Sequence, residues 1–513
     1  MANTTTSGPK NLVLAAMIFA VSMTFIDQTI VSIAAPQIQR HLGLTSTGVQ
    51  WAINAYLMSL AALFAFGGRL ADTIGHRAMV TLGVVLFAFA SAMCGLTPKG
   101  GAAEAWIVAF RILQGAGGAI MFPAALAIVV QTFALRERGK ALALFFGIAG
   151  GLTAIGPLLG GFLTEWTWRA IFWVNIPVAV IALVLIVISK PTTAHQSAPM
   201  DYRGVVLIAA GVALSVFGFQ QSLVWGWSNP AIGLSIAAGV VLLVIFGMVE
   251  VRTPSPLMKI NIFRIRAFLV ENLVLGIAML VFIPVFFFAS EYAQIALGES
   301  ASQAGLFLLY FFIGFVVTAQ IGGRILDRSG AKRPVVIGCA LAAVGFYLWA
   351  GKATDLSLAA QKWDVIIAGA GMGFMLGPAS TDAVNRASRL SYGEATGITQ
   401  TVRNYAASLG IAVLGTILVS QFRSRLTASL VHRYGLSHER AAALASKYSE
   451  ASQGGGGSVT SISPFARHDF AYATRSVLFV MAGIMAVAAV VAFVGLERGA
   501  QEEGGDPESG ATT

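Results

Sequence analysis

The sequence predicts an all-α polytopic membrane fold: two six-helix bundles plus two inserted helices, fourteen transmembrane helices in all. Three observations predict it. The 513-residue chain is 57% hydrophobic and only 11% charged, with a mean hydropathy of +0.77, whereas soluble domains carry about 25% charged residues. Apolar stretches of the length needed to cross a bilayer, about 17–25 residues, recur along the whole chain. A short loop pattern occurs twice: Gly68-Arg69-Leu70-Ala71-Asp72-Thr73-Ile74-Gly75-His76-Arg77 is echoed by Gly323-Arg324-Ile325-Leu326-Asp327-Arg328-Ser329-Gly330-Ala331-Lys332.

The apolar stretches place spans in order at 11–34, 48–71, 78–97, 104–130, 140–164, 168–189, 204–220, 231–250, 267–290, 303–325, 334–350, 363–385, 395–420 and 476–496. The first follows a polar stretch, Met1 to Pro9, with no small-residue cleavage site, and it carries Asp27. It therefore reads as a retained span rather than an export signal. The seventh is the shortest. Cys94 and Cys339 fall inside spans, so they say nothing of disulfides or metal ligands.

The two loop copies follow spans two and ten, with Asp72 and Asp327 standing 255 residues apart. An even number of spans between them puts both on one membrane face, as parallel repeats about an axis along the membrane normal require. A plain six-plus-six chain would carry the second copy after span eight, so two spans must be inserted between the halves. The expected organisation is a first bundle at 1–189, linkers with two inserted spans at 190–266, a second bundle at 267–496 with an outer insertion at 421–475, and a disordered cytoplasmic tail at 497–513. Within the insertion, Ser437 can cap a helix running past Lys447, and Gly454 to Gly457 then break it. That helix reads either as a surface helix or as a docking element for a partner.

Placing both termini in the cytoplasm puts most short-loop Lys and Arg on the inner side, as the positive-inside rule requires. The net charge of +10 is thus read as membrane topology, not as nucleic-acid affinity.

Candidate functional residues stand out against this apolar background. A carboxylate within a span is costly and faces a cavity or a partner. Asp27 and Arg111 fall at about the same depth on oppositely running spans, at 1.5 Å per residue, so they can pair. Proton binding at Asp27 then becomes a switch; the alternative is a permanent structural ion pair. In the repeated loop, Gly68, Asp72, Gly75 and Arg77, with Gly323, Asp327, Gly330 and Lys332, read as a cytoplasmic gate. Its glycines allow tight turns, and its aspartates can meet a helix N-terminus or an Arg. Arg111 to Ala119 joins an intramembrane Arg to small residues suited to close packing. Gly151, Gly156, Pro157, Gly160 and Gly161, with Gly147 and Gly150, line span five as a bend or a flat packing face. Trp51, Asn54, Tyr56, Asn175, Phe286 to Phe288 and Tyr310 are candidate cavity-lining groups, although aromatics in spans more often face lipid or core. Glu271, Asp382 and Arg403 lie near cytoplasmic span ends, where snorkelling to water is one reading. Glu165 and Glu291 lie near outer boundaries and read as solvated.

Some classes are excluded. Gly139-Lys140 and Gly351-Lys352 both precede Ala, so no Walker A loop is present and ATP is not the expected energy source. Metal-spaced His/Cys sets and hydrolase signatures are absent too. No enzyme, cofactor or metal is expected.

Five motifs in order resemble the major facilitator superfamily, specifically its fourteen-span drug:proton antiporters of the EmrB/QacA type. Asp27-Gln28-Thr29-Ile30-Val31-Ser32-Ile33-Ala34-Ala35-Pro36 is similar to the first-span signature, with Ser32 for its usual Asn and Ala35 for its usual Leu. The repeated loop is similar to the cytoplasmic hinge, Arg111 to Ala119 to the fourth-span motif, and Gly151 to Gly161 to the antiporter motif. Trp168 to Pro177 resembles the start of span six, with Ala170 where Trp is common. A weaker match surrounds Arg403, from Gly393 to Gly410. The resemblance implies proton coupling or cation recognition at Asp27 and Arg111. It also implies proton-driven export of amphipathic, often cationic, drugs, with a bacterial cytoplasmic (inner) membrane as the location. A narrow exporter of a metabolite, lipid precursor or antibiotic on the same fold is the alternative; a non-transporting sensor would need a signalling domain that is not seen. The expected partners are small amphipathic substrates, protons, the lipid bilayer and, as a candidate, a periplasmic adaptor protein.

Overall fold

The computed structural model describes residues 9–133, 135–191, 199–386, 392–453, 464–497 and 499. Among them all regular structure is helical. Helices α1 (Lys10–Leu42), α2 (Ser46–Ile74), α3 (His76–Gly95), α4 (Ala103–Thr132) and α5 (Leu135–Trp166) precede a broken pair, α6 (Ala170–Trp173) and α7 (Asn175–Ser189). Together these form one packed group. A hairpin of α8 (Tyr202–Trp225) and α9 (Pro230–Arg252) follows. The second group comprises α10 (Arg266–Glu291), α11 (Ala301–Ser329), α12 (Lys332–Lys352), α13 (Leu358–Arg386), α14 (Tyr392–Tyr434) and α16 (Pro464–Gly495), with α15 (His438–Gln453) packed on α14.

Twelve helices among the described residues are long and apolar enough to cross a membrane, α6 and α7 together being one of them. Helices α5 and α13, of 32 and 29 residues, thread the same bundles. Several helices outrun their apolar stretches, because polar residues satisfy the helical backbone as well as apolar ones once outside lipid. The first runs over Lys10–Leu42 rather than 11–34, and the last over Pro464–Gly495 rather than 476–496. The polar insertion expected over 421–475 is in large part helix: the end of α14, then α15, then the start of α16. Phe422 stacks edge-on against Phe470 at 5.2 Å, and Tyr434 meets Phe465 at 6.1 Å, so these segments pack on one another. Ala441 and Ala445, one turn apart, form the buried face of α15. The Gly454 to Gly457 run and the tail beyond 499 lie outside the described residues.

Prolines and glycines set the helix spacing. Proline removes an N–H and so frees the carbonyl four residues earlier. Pro123 in α4 frees Ala119, Pro284 in α10 frees Leu280, and Pro378 in α13 frees Phe374. Each freed carbonyl faces a glycine of a neighbouring helix, Gly67, Gly410 and Gly322 respectively, so closely that a Cβ there would collide with it. Pro157 in α5 frees Thr153, whose carbonyl accepts instead from the Thr29 hydroxyl of α1 at 3.0 Å. Four helix breaks thus become four interhelical seats.

The α8–α9 hairpin closes on itself through Gly211 and Gly239 and lies against both α2 and α14. Asn54 of α2 donates to Gln220 of α8 at 2.6 Å and accepts from Ser408 of α14. Ser215 of α8 meets the Tyr405 hydroxyl of α14 at 2.9 Å. The inserted hairpin therefore bridges the two groups.

Candidate functional site

The two ionic residues flagged inside the first group meet. Asp27 of α1 is fully buried and Arg111 of α4 is 1% exposed; Arg111 Nη1 donates to Asp27 Oδ2 in a salt bridge. Gln114 joins them because it sits three residues after Arg111, on the same helix face. It accepts from Arg111 at 2.8 Å and donates to Asp27 Oδ1 at 3.0 Å. Arg111 Nε donates to the Ala52 carbonyl of α2 at 2.8 Å, and the guanidinium lies 4.4 Å from the centre of the Tyr56 ring. Behind the pair, Ser91 of α3 accepts from Gln114 and from Asn175 of α7, and donates to the Phe172 carbonyl. The Tyr56 hydroxyl donates to the Thr24 carbonyl at 3.1 Å. Gln114 and Ser91 were not singled out from the sequence; spacing from Arg111 could have found Gln114, but nothing local marks Ser91.

The chemistry follows from donor and acceptor counts. Both Asp27 oxygens receive N–H donors, which an ionised carboxylate accommodates. A proton added to Asp27 points a donor at donors, so protonation and this geometry are incompatible.

Tyr56 and Asn175 are thus buried members of this network rather than open cavity walls, and Asn54 is committed to the α8–α14 tie. Trp51 is half-buried against Phe217 of α8, ring centres 6.0 Å apart. Tyr310, expected in a cavity, stands in an exposed stripe on α11 with Leu306, Ile313 and Val317, the pattern of a lipid-facing helix side. Phe286, Phe287 and Phe288 are buried in the second group's core, Phe286 stacking on Phe312 at 5.0 Å. Glu291, expected to be solvated, is only 4% exposed, and Glu271 and Asp382, read as snorkelling, are enclosed. The reason is that α10 runs through the middle of the second group, packed by α13, α14 and α16 and touching α1.

The repeated loops have the same backbone at their turns. Gly75 N–H donates to the Ala71 carbonyl and Gly330 N–H to the Leu326 carbonyl, both at 2.9 Å, with φ of +107° and +79°. Such φ values favour glycine. Gly68 lies against Pro123, whereas Gly323 has open space. Asp72 pairs with buried His76 at 3.3 Å; Asp327 is exposed, and Lys332 lies 5.4 Å from the Phe493 ring. Arg77 is half-buried. Among the described residues, the contacts of Gly68, Asp72 and Lys332 are each made within their own half.

At the opposite face the halves are closed together. Gly161 of α5 abuts the backbone of Ala301 and Ser302 of α11, and Gly305 of α11 abuts the Pro157 carbonyl. Glu165 accepts from Ser300 and Ser302, and Gln294 donates to the Ile33 carbonyl of α1 at 2.9 Å. Gly156 and Gly160 seat α5 against Thr29 and Ile30 of α1. The surroundings of Gly151 lie outside the described residues. Between the halves remains a narrow crevice, with Phe25, Phe64 and Phe122 on one wall and Gln400 and Asn404 of α14 on the other, Gln28 beside them. Arg403 stands next to Gln400 and Asn404 and is half-buried.

Two pseudo-repeated helical bundles, a charged cluster buried in one and closely seated glycine-rich helices between them define a multi-pass membrane transporter. The profile of the Major Facilitator Superfamily matches residues 17–411, and the chain belongs to that family. It is 32% identical over 412 residues to a tetracenomycin C resistance and export protein of Streptomyces glaucescens, covering 80% of this chain and 76% of that one. It is 30% identical over 437 residues to the multidrug transporter protein MdtP of Bacillus subtilis, covering 82% and 78%. Among solved structures, a bacterial homologue of the human lysosomal transporter Spinster, inward-facing and unoccupied, superposes with a TM-score of 0.61 at 17% identity, covering 95% of this chain and 96% of that one. This likeness shows the shared fold.

Proposed function

We propose that this transporter is a proton-coupled antiporter that exports amphipathic toxic compounds by alternating access, with fourteen spans and both termini in the cytoplasm of a bacterial inner membrane. The observation that carries the reading is the buried Asp27–Arg111–Gln114 cluster, which holds a carboxylate only while it is ionised. Proton arrival releases Arg111, loosens the α1–α4 contact and shifts the bundles; proton departure resets them. The α5–α11 contact is the outer closure, and the Asp72 and Asp327 loops are the cytoplasmic latches, released in this conformation. The kinship with drug and antibiotic exporters supports efflux. The relative named for one antibiotic also favours a narrow-specificity exporter as the second reading. Cation recognition by Asp27 would require it to leave Arg111. The test is dye transport in proteoliposomes with an imposed pH gradient: the wild type is expected to move dye uphill, and Asp27→Asn to equilibrate it without coupling. Full coupling in Asp27→Asn would remove the proton role.

A further inference from the structure

We propose that Arg403 of α14 is the charge-recognising residue of the substrate site, and that the preferred cargo carries an acidic group on an aromatic or apolar body. The proposal rests on the efflux reading and gives that site its chemical class.

Arg403 makes no hydrogen bond, ion pair or ring contact among the described residues. A cation within a transmembrane helix is costly and faces a cavity or a partner. The neighbours of α14 show where it points. Gly410 abuts Leu280 of α10, Ser408 meets Asn54 of α2, and Gln400 and Asn404 line the crevice. At about 100° per residue, Arg403 projects roughly 20° from Gly410 and roughly 60° from Gln400. It therefore points between α10 and the crevice, beside the crevice-lining Gln400 and Asn404.

The crevice is itself amphipathic. Phe122 packs against Phe25 and Phe64, with ring centres 5.6 and 5.3 Å away, forming an aromatic wall. The facing wall carries the amides of Gln400 and Asn404, and Arg403 stands beside them on the same helix. The carboxylate that could have selected cations, Asp27, already has a donor on each oxygen from Arg111 and Gln114. An acidic group that passes Gln400 and Asn404 finds beside them a guanidinium with its donors open and a planar fork suited to a carboxylate. Among the described residues lining the crevice there is no carboxylate to receive a cation.

The experiment compares two xanthene dyes of matched size: fluorescein, an acid, and tetramethylrhodamine methyl ester, a cation. Binding to purified full-length protein is read by fluorescence anisotropy. The wild type is expected to bind fluorescein more tightly than the ester. Arg403→Gln should weaken fluorescein binding about tenfold or more, the scale of a lost charge-assisted contact, while Arg403→Lys retains most of it. Ester binding should be unchanged, which also reports that the variants are folded. Equal fluorescein binding by wild type and Arg403→Gln, or a wild type that prefers the ester, would overturn the proposal. Efflux of the same dyes from proteoliposomes is read separately. Transport without the fluorescein preference defeats the proposal but not the efflux reading. Arg403-dependent binding without pH-driven transport defeats the efflux reading while leaving the anion site standing.

Discussion

Removing the charge from one partner of the buried pair should cost more than removing it from both. In Asp27→Asn, Arg111 keeps its charge, its Ala52 carbonyl and its Tyr56 ring, but loses the only carboxylate bonded to it. Breaking a buried pair by removing one partner costs about 3–5 kcal/mol. Arg111→Gln strands Asp27 with Gln114 alone and should cost a similar amount. The double variant Asp27→Asn/Arg111→Gln leaves neutral amides of near-native shape that can hydrogen-bond to each other and to Gln114. Its cost should fall below that of either single variant, and so short of the summed single costs by about 3 kcal/mol or more. Unfolding free energies of the purified proteins in one detergent, measured for all four members of the cycle, give this coupling directly. Additive single costs would refute the claim that the two charges hold one another. The same four proteins, reconstituted with a pH gradient, separate structure from coupling: the double variant should be stable yet uncoupled. A stable double variant that still pumps uphill would show the pair to be purely structural.

Three further outcomes follow from other contacts. Gly67→Ala pushes a Cβ into the Ala119 carbonyl, whereas Gly323→Ala meets open space; the first should sharply lower folded yield, and the second should match or exceed wild-type stability by about 0.5–1 kcal/mol. Equal yields would contradict the seating of α2 on α4. Gln220→Leu leaves Asn54 with one partner fewer and should destabilise the protein by about 1–3 kcal/mol, read as a lower melting temperature, with no added loss when Asn54→Leu is already present. If an acidic cargo leaves as a proton enters, two elementary charges move inward, so an inside-negative potential of 100 mV adds about 4.6 kcal/mol to the driving force. Fluorescein efflux should therefore accelerate under a valinomycin-set potential, and indifference to potential would exclude that exchange.

Much of this was legible in the sequence because it is written in spacing. The recurring Gly-Arg-(Leu/Ile)-x-Asp-x-x-Gly loop located the two halves, and the depths of Asp27 and Arg111 on oppositely running helices brought them together before any coordinates. What could not be read was lateral: which helix face meets which. Ser91 lies in an apolar helix with no local signal, and its role exists only because α3, α4 and α7 converge. Gln220 looks like a polar blemish in a weak span until α2 and α14 supply Asn54 and Ser408. Tyr310 and Glu291 were misplaced for the same reason, since linear position gives depth but not the direction a side chain faces. Of the four proline seats the sequence singled out only Pro157; the pairing of Pro123, Pro284 and Pro378 with glycines of neighbouring helices was not visible in it.

Helix α14 continues without a break from the crevice to Tyr434, well past the end of its apolar stretch. From Ser408 to Tyr434 is roughly 39 Å at the usual rise per residue. Because α15 and the start of α16 pack on its end, it forms a long stiff rod whose base sits beside the crevice. A tilt of about 10° at Ser408 would swing the tip by roughly 7 Å. A spectroscopic label at the tip would magnify such a tilt into a distance change large enough to follow in single molecules.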